Sequence, residues 1–135
     1  MCAIDLMDRY PEDVRHHCCR VARIIFDKIV ALPHLDDTQY LAWMQVALLH
    51  DILEDTNTTP DELPEAARDD VLTLTRKDSE TYFEYIDRVK NSGSVHAITV
   101  KIADLYDHLE QKDTLKDSLK DRYLKALDQL ENSII

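Results

Sequence analysis

A single glycine, Gly93, occurs in the 135 residues, against an average usage of roughly 7%. Tight two-residue hairpins draw on glycine for their left-handed positions, so a fold made of hairpins lacks its material here and helices are expected. The hydrophobic spacing agrees. Pro11 is expected as the first residue of a helix, with Glu12 and Asp13 suited to the positive end of its dipole; Val14, Cys18, Val21, Ile25 and Ile29 then recur three and four residues apart, and Pro33 should stop the run. Asp36 or Asp37 can cap a second helix, with Leu41, Met44, Leu48 and Ile52 as its expected buried face. Thr59, Pro60, Asp61 and Glu62 form a capping box with proline at the first helical position. Pro64 starts another helix, expected to run to about Thr75.

Tyr82, Tyr85, Ile86 and Val89 mark the next helix, which ends at Gly93, and Ser94 can cap its successor, where Ile98, Ile102, Leu105 and Leu109 share a face. A last helix is expected from Thr114 to Asn132 with Leu119, Tyr123, Leu127 and Leu130 inward. No strand alternation of useful length occurs. The expected fold is therefore all-α, a compact bundle of six or seven helices in one domain over residues 1–135.

Composition narrows the partners. Twenty-seven acidic against 16 basic side chains give a net charge of -11, which repels a phosphate backbone and makes nucleic acid a poor partner. Apolar runs such as Val46 to Leu49 are far short of the ~20 residues that cross a bilayer. The amino terminus shows no basic segment followed by an apolar one. Cys2, Cys18 and Cys19 form neither a disulfide framework nor a spaced zinc motif. A cytoplasmic protein without a membrane partner is expected, and the oligomeric state is open.

Three polar groupings carry possible chemistry. His50, Asp51, Glu54 and Asp55 fall at i, i+1, i+4 and i+5, so on an unbroken helix His50 stacks over Glu54 and Asp51 over Asp55. Three carboxylates that close repel one another unless a cation compensates, which a divalent metal would do; a solvated helix end carries the same letters. On the first helix His17 has Val14, Val21 and Ile24 as neighbours, whereas His16 faces Asp13, Arg20 and Arg23, so His17 is the one that leans toward the core, as a packed residue or as a ligand. Lys101, Asp104 and His108 form a polar row beside Ile98, Ile102 and Leu105, suited to a metal ligand flanked by anion contacts and equally to a salt-bridged surface. Tyr82 and Tyr85 are expected to be core aromatics with polar tips.

The ordered set of His17, the HD pair at 50 and 51, and Asp104 resembles the HD-domain superfamily of metal-dependent phosphohydrolases. VALLHDILEDT at 46 to 56, HHCCRVARI at 16 to 24 and KIADLYDHLE at 101 to 110 resemble, in the same order, the hydrolase module of the Rel/Spo alarmone enzymes and the small stand-alone alarmone hydrolases; the likeness covers about residues 10 to 112. It implies an HD-domain helical bundle with His17, His50, Asp51 and Asp104 as ligands of one divalent metal, most often Mn2+ in alarmone hydrolases. It further implies Glu54 and Asp55 as the catalytic pair that activates and positions water, and Lys101 as a contact to phosphate oxygens or a carboxylate. Imidazole and carboxylate ligands suit manganese or iron, and the lack of thiolates argues against a structural zinc site.

The implied activity is hydrolysis of a phosphate ester or pyrophosphate in a small-molecule nucleotide, with ppGpp-type alarmones among the candidate substrates. Two departures point away from a guanosine alarmone held in the family's manner. His108 stands where the family's KxADxxxN motif has a ribose-reading asparagine, and before His17 only Arg9 and Arg15 offer themselves as the basic residues that hold guanine. No synthetase or regulatory domain is expected after the motif. Two rivals remain within the same resemblance. A nucleotide-sensing module without turnover is disfavoured by the retention of Glu54 and Asp55, and a two-metal oxygenase by the presence of His96 alone between the HD pair and Asp104. A purely structural bundle would hold no metal.

Overall fold

The computed structural model describes residues 1–111 and 115–132. Among them the chain is helical throughout: α1 (Ala3–Met7), α2 (Glu12–Ile29), α3 (Asp37–Leu49), a single turn α4 (Ile52–Asp55), a 3-10 turn (Pro60–Glu62), α5 (Glu65–Thr73), α6 (Tyr82–Asn91), α7 (Val95–Glu110) and α8 (Asp117–Glu131). Seven helices of five residues or more make the expected all-α bundle. The start expected at Thr114 lies outside the described residues. None of the described helices is long and apolar enough to cross a membrane.

Boundaries follow local chemistry. Asp36 accepts from the Gln39 amide at 2.8 Å while the Gln39 side chain accepts from the Asp36 amide at 3.0 Å, and Thr81 and Glu84 repeat this reciprocal cap at α6. Ser94 accepts from the Ala97 amide at 3.1 Å. Gly93 sits at φ +68°, the left-handed step between α6 and α7 that a side chain would resist. Pro11 is the residue before the first helical one rather than the first itself.

Helix α2 packs on α3 and α7, and α7 also packs on α5, α6 and α8, so α7 runs through the middle of the bundle. The α2 stripe is buried as expected at Cys18, Val21, Ile25 and Ile29, in one continuous core with Ile102 and Leu105 of α7 and Leu127 and Leu130 of α8. Helix α3 departs from expectation. Leu41 is 60% exposed, Met44 and Leu48 are partly buried, and the fully inward residues are Trp43, Val46, Ala47 and Leu49. Only Ile52 of the expected face is fully buried, and it belongs to α4. The segment from Leu41 to Leu49 is apolar on almost every side, so hydrophobic spacing leaves its rotation undetermined. Polar anchors decide it: the Trp43 indole donates to Thr99 Oγ1 at 2.9 Å and Tyr40 Oη to the Ile29 carbonyl at 2.8 Å.

This phase is directly testable by chemical denaturation. Leu49→Ala should cost ~2–5 kcal/mol of unfolding free energy, the range for truncating a buried leucine, while Leu41→Ala should stay within ~0.5 kcal/mol of the parent as a surface change. Equal losses would restore the original stripe.

Candidate metal centre

Three structural elements and one helix break bring the site together. His17 lies on the inner face of α2 and is 7% exposed, whereas the His16 side chain is 60% exposed and lies 4.0 Å from Glu12. Asp104 lies at mid-length on α7, 3% exposed. Between α3 and α4 the backbone leaves the helix, with Asp51 at φ -100°, ψ 0°. The His50 Nδ1–H donates to the Ala47 carbonyl at 2.7 Å, the carbonyl to which an unbroken helix would direct the Asp51 amide; such side-chain competition opens helices. The Asp55 amide still donates to the Asp51 carbonyl at 3.0 Å, so Asp51 and Asp55 stay one turn apart beyond the break.

The kink turns His50 and Asp51 toward α2 and α7. Ligand-capable atoms of His17, His50, Asp51 and Asp104 all lie within 4.8 Å of one another. Opposed ligands with bonds near 2.1 Å are about 4.2 Å apart, so this set can close on one ion by sub-ångström shifts. Asp104 Oδ1 faces Nε2 of His17 at 2.7 Å, of His50 at 3.3 Å and of His108 at 3.3 Å, while Oδ2 accepts from Lys101 Nζ at 2.8 Å. Asp51 Oδ2 lies 3.3 Å from His50 Nε2 and 3.7 Å from His17 Nε2. The ring tautomers are set from behind: His50 Nδ1–H is spent on Ala47, and His17 Nδ1–H donates to Asp107 Oδ2 at 2.6 Å. Both Nε2 atoms thus face the shared centre, the arrangement a neutral imidazole ligand needs.

The electrostatics are those of a buried anion cluster. Burial opposes the charge on Asp104, yet the Lys101 ammonium and the three imidazoles hold its carboxyl well below the usual range. Burial likewise opposes a charged Lys101, but Asp104 lifts it well above the ordinary lysine value. For His17, burial is outweighed by the hydrogen bond and charge of Asp104; for His50, by the charge of Asp51 and the bond to Asp104. Both rings are raised. A cation seated among these carboxylates takes the Nε2 lone pairs, so metal and protons compete for the same two atoms.

The expected catalytic pair divides. Partial burial and the charge of Asp51 raise both Glu54 and Asp55 above the normal carboxylate range, but they line different hollows. Glu54 accepts from the Arg76 amide at 2.7 Å beside a cavity of about 560 Å³ shared with Thr75, Arg76, Lys77 and Glu80. Asp55 borders one of about 390 Å³ with Arg9, Pro11, Thr56 and Asn57. Arg88 fixes the wall of the first, donating to Glu80 at 2.7 Å and to the Thr73 and Thr75 carbonyls at 3.0 Å each.

Of the expected phosphate contacts, Lys101 is largely committed to Asp104, its ammonium lying 5.1 Å from the Tyr85 ring centroid. His108 stands at the rim, its side chain 39% exposed, stacked between His17 at 4.5 Å and Tyr123 at 5.3 Å. Tyr85 is a core aromatic as expected, donating to the Leu74 carbonyl at 2.7 Å; the buried Tyr82 hydroxyl has no hydrogen-bond partner among the described residues. Arg9, the candidate base contact, is engaged by Glu62 at 2.8 Å and Thr58 at 3.0 Å. His96 lies with Asp70 and Trp43 and is not in the cluster.

Sequence reasoning missed Asp107 and the role of Arg20, which grips it at 2.8 and 3.0 Å. Its only trace was spacing: Asp107 lies one helical turn beyond Asp104, as Arg20 does beyond His17. Cys18, buried next to His17, donates to Asp51 Oδ2 across 3.8 Å.

Removing His17 should separate ligand from neighbour. His17→Ala is expected to weaken manganese binding by more than the ~10–100-fold typical of losing an outer-shell partner, while His16→Ala should bind like the parent in the same chelator competition. Compared with models of known families and with curated proteins, the chain matches none.

Proposed function

We propose that the chain is a metal-dependent phosphohydrolase of the HD-domain type, cleaving a phosphate ester or pyrophosphate of a nucleotide, with manganese as the ion. The observation that carries this reading is the convergence of His17, His50, Asp51 and Asp104 from separate elements on a spread of 4.8 Å, with two exposed carboxylates at its edge. Two imidazoles and two carboxylates without a thiolate suit manganese or iron. When bound, such an ion supplies a water of lowered pKa and polarises a phosphoryl oxygen.

The protein residues would then act as follows. His17, His50, Asp51 and Asp104 fix the reacting centre, and Lys101 keeps Asp104 charged and oriented through Oδ2. Glu54 or Asp55, whose proton affinity is raised, takes the proton that the attacking water loses, since each presents a solvent-accessible carboxylate beside Asp51. His108, stacked and held at the rim, offers a ring nitrogen to the substrate where an asparagine would offer paired donor and acceptor. A ribose read through an amide is therefore not expected, and ppGpp should be a poorer substrate than a smaller or differently held nucleotide.

Hydrolysis of a nucleotide panel including ppGpp, with manganese, with magnesium and with chelator, tests the proposal. Manganese-dependent release of phosphate or pyrophosphate is expected. Glu54→Gln and Asp55→Asn should retain the ion, and at least one should lower turnover by ~10²-fold, the scale of losing a general base. Manganese binding without turnover of any nucleotide would make the chain a sensor.

A further inference from the structure

The two imidazoles of the candidate centre are supported unequally. His50 gives its Nδ1–H to a neutral carbonyl, that of Ala47. His17 gives its Nδ1–H at 2.6 Å to Asp107, a carboxylate 3% exposed, which Arg20 grips in a fork through Nε and Nη2 at 2.8 and 3.0 Å. Asp104 and Asp107 are one turn apart on α7, and His17 and Arg20 one turn apart on α2. The two helices thus mesh in register, with the His17 ring bracketed by a carboxylate at each nitrogen.

Resting on the metal-centre reading above, we propose that Asp107, held by Arg20, is a positioning residue that locks His17 with its Nε2 lone pair toward the ion and makes it the more strongly donating of the two imidazole ligands. A charged acceptor behind a ligating imidazole raises the basicity of the far nitrogen as well as fixing its tautomer. Arg20 has a distinct task. Its planar fork matches both Asp107 oxygens, so the buried carboxylate is held charged and in one orientation toward His17. The Arg20 side chain is 46% exposed, which places the outer end of this chain of contacts at the surface.

Manganese affinity of the full chain, measured by chelator competition, is the primary readout; the downfield Nδ1 proton resonance of His17 in the zinc-loaded protein is the second, because a merely structural role for Asp107 would not move it. Asp107→Ala should weaken manganese binding ~10–100-fold and abolish the resonance. Asp107→Asn, which keeps an acceptor and loses the charge, should fall between this variant and the parent and shift the resonance upfield. Arg20→Ala should weaken binding several-fold, and Arg20→Lys should recover only part of that. Parental affinity in Asp107→Asn and Arg20→Ala overturns the inference while leaving the metal centre standing, and these two variants decide the matter if Asp107→Ala fails to fold. A parent chain that binds neither manganese nor zinc removes the metal centre and this inference together.

Discussion

A carboxylate buried at 3% exposure in the middle of a helical bundle is affordable only if its charge is matched, because isolating an ion from water costs several kcal/mol even after relaxation. Asp104 meets that demand with every neighbour it has. Lys101 neutralises Oδ2 from the same helix, and three imidazoles from α2, the α3–α4 break and the last turn of α7 converge on Oδ1. The packing of α2 and α3 against α7 is therefore fixed by polar chemistry as well as by the apolar stripes around it. An arrangement that served stability alone could replace such a set with hydrophobic residues at little or no loss.

Charge bookkeeping extends the point. Asp51, Asp104 and Asp107 all lie close to the two imidazoles of His17 and His50, while the cations paired with these carboxylates are Lys101 on Asp104 and Arg20 on Asp107. Each cation is already bonded to a carboxylate. The side of the cluster facing Asp51, His50 and His17 has donors only in the imidazoles, and those same nitrogens are the ones a metal would take. A cation seated there would relieve the repulsion among these carboxylates.

Much of this was legible in the sequence because it depends on helical phase over one or two turns. His17 rather than His16 turns inward since Val14 and Val21 flank it, and Asp104 follows the apolar row of α7 in the same way. Phase was not legible in α3, where leucine, methionine, alanine and valine cover nearly the whole circumference and hydrogen bonds from Trp43 and Tyr40 choose the rotation. Nor was the break after Leu49, where the His50 ring bonds the Ala47 carbonyl. Asp107 escaped notice because its partner is 90 residues away, and pairwise contacts of that range leave no mark on local spacing.

The break has a consequence for how the acidic pair can work. Successive residues on a helical turn point about 100° apart, and on the single turn α4 no longer helix exists to bring Glu54 and Asp55 back onto a shared face. Glu54 is tied to the Arg76 amide on one side of the cluster, and Asp55 opens toward Arg9 and Asn57 on the other. Two carboxylates that line different hollows meet different surroundings, although the charge of Asp55 still reaches Glu54. In the hydrolase reading they must take different parts, one meeting the water and the other the departing or retained portion of the substrate. Which hollow a nucleotide would occupy then decides which carboxylate would be the base, and Arg88 steadies the Glu54 side by holding the Thr73–Glu80 wall through four hydrogen bonds, to the Thr73 and Thr75 carbonyls and to both Glu80 carboxylate oxygens.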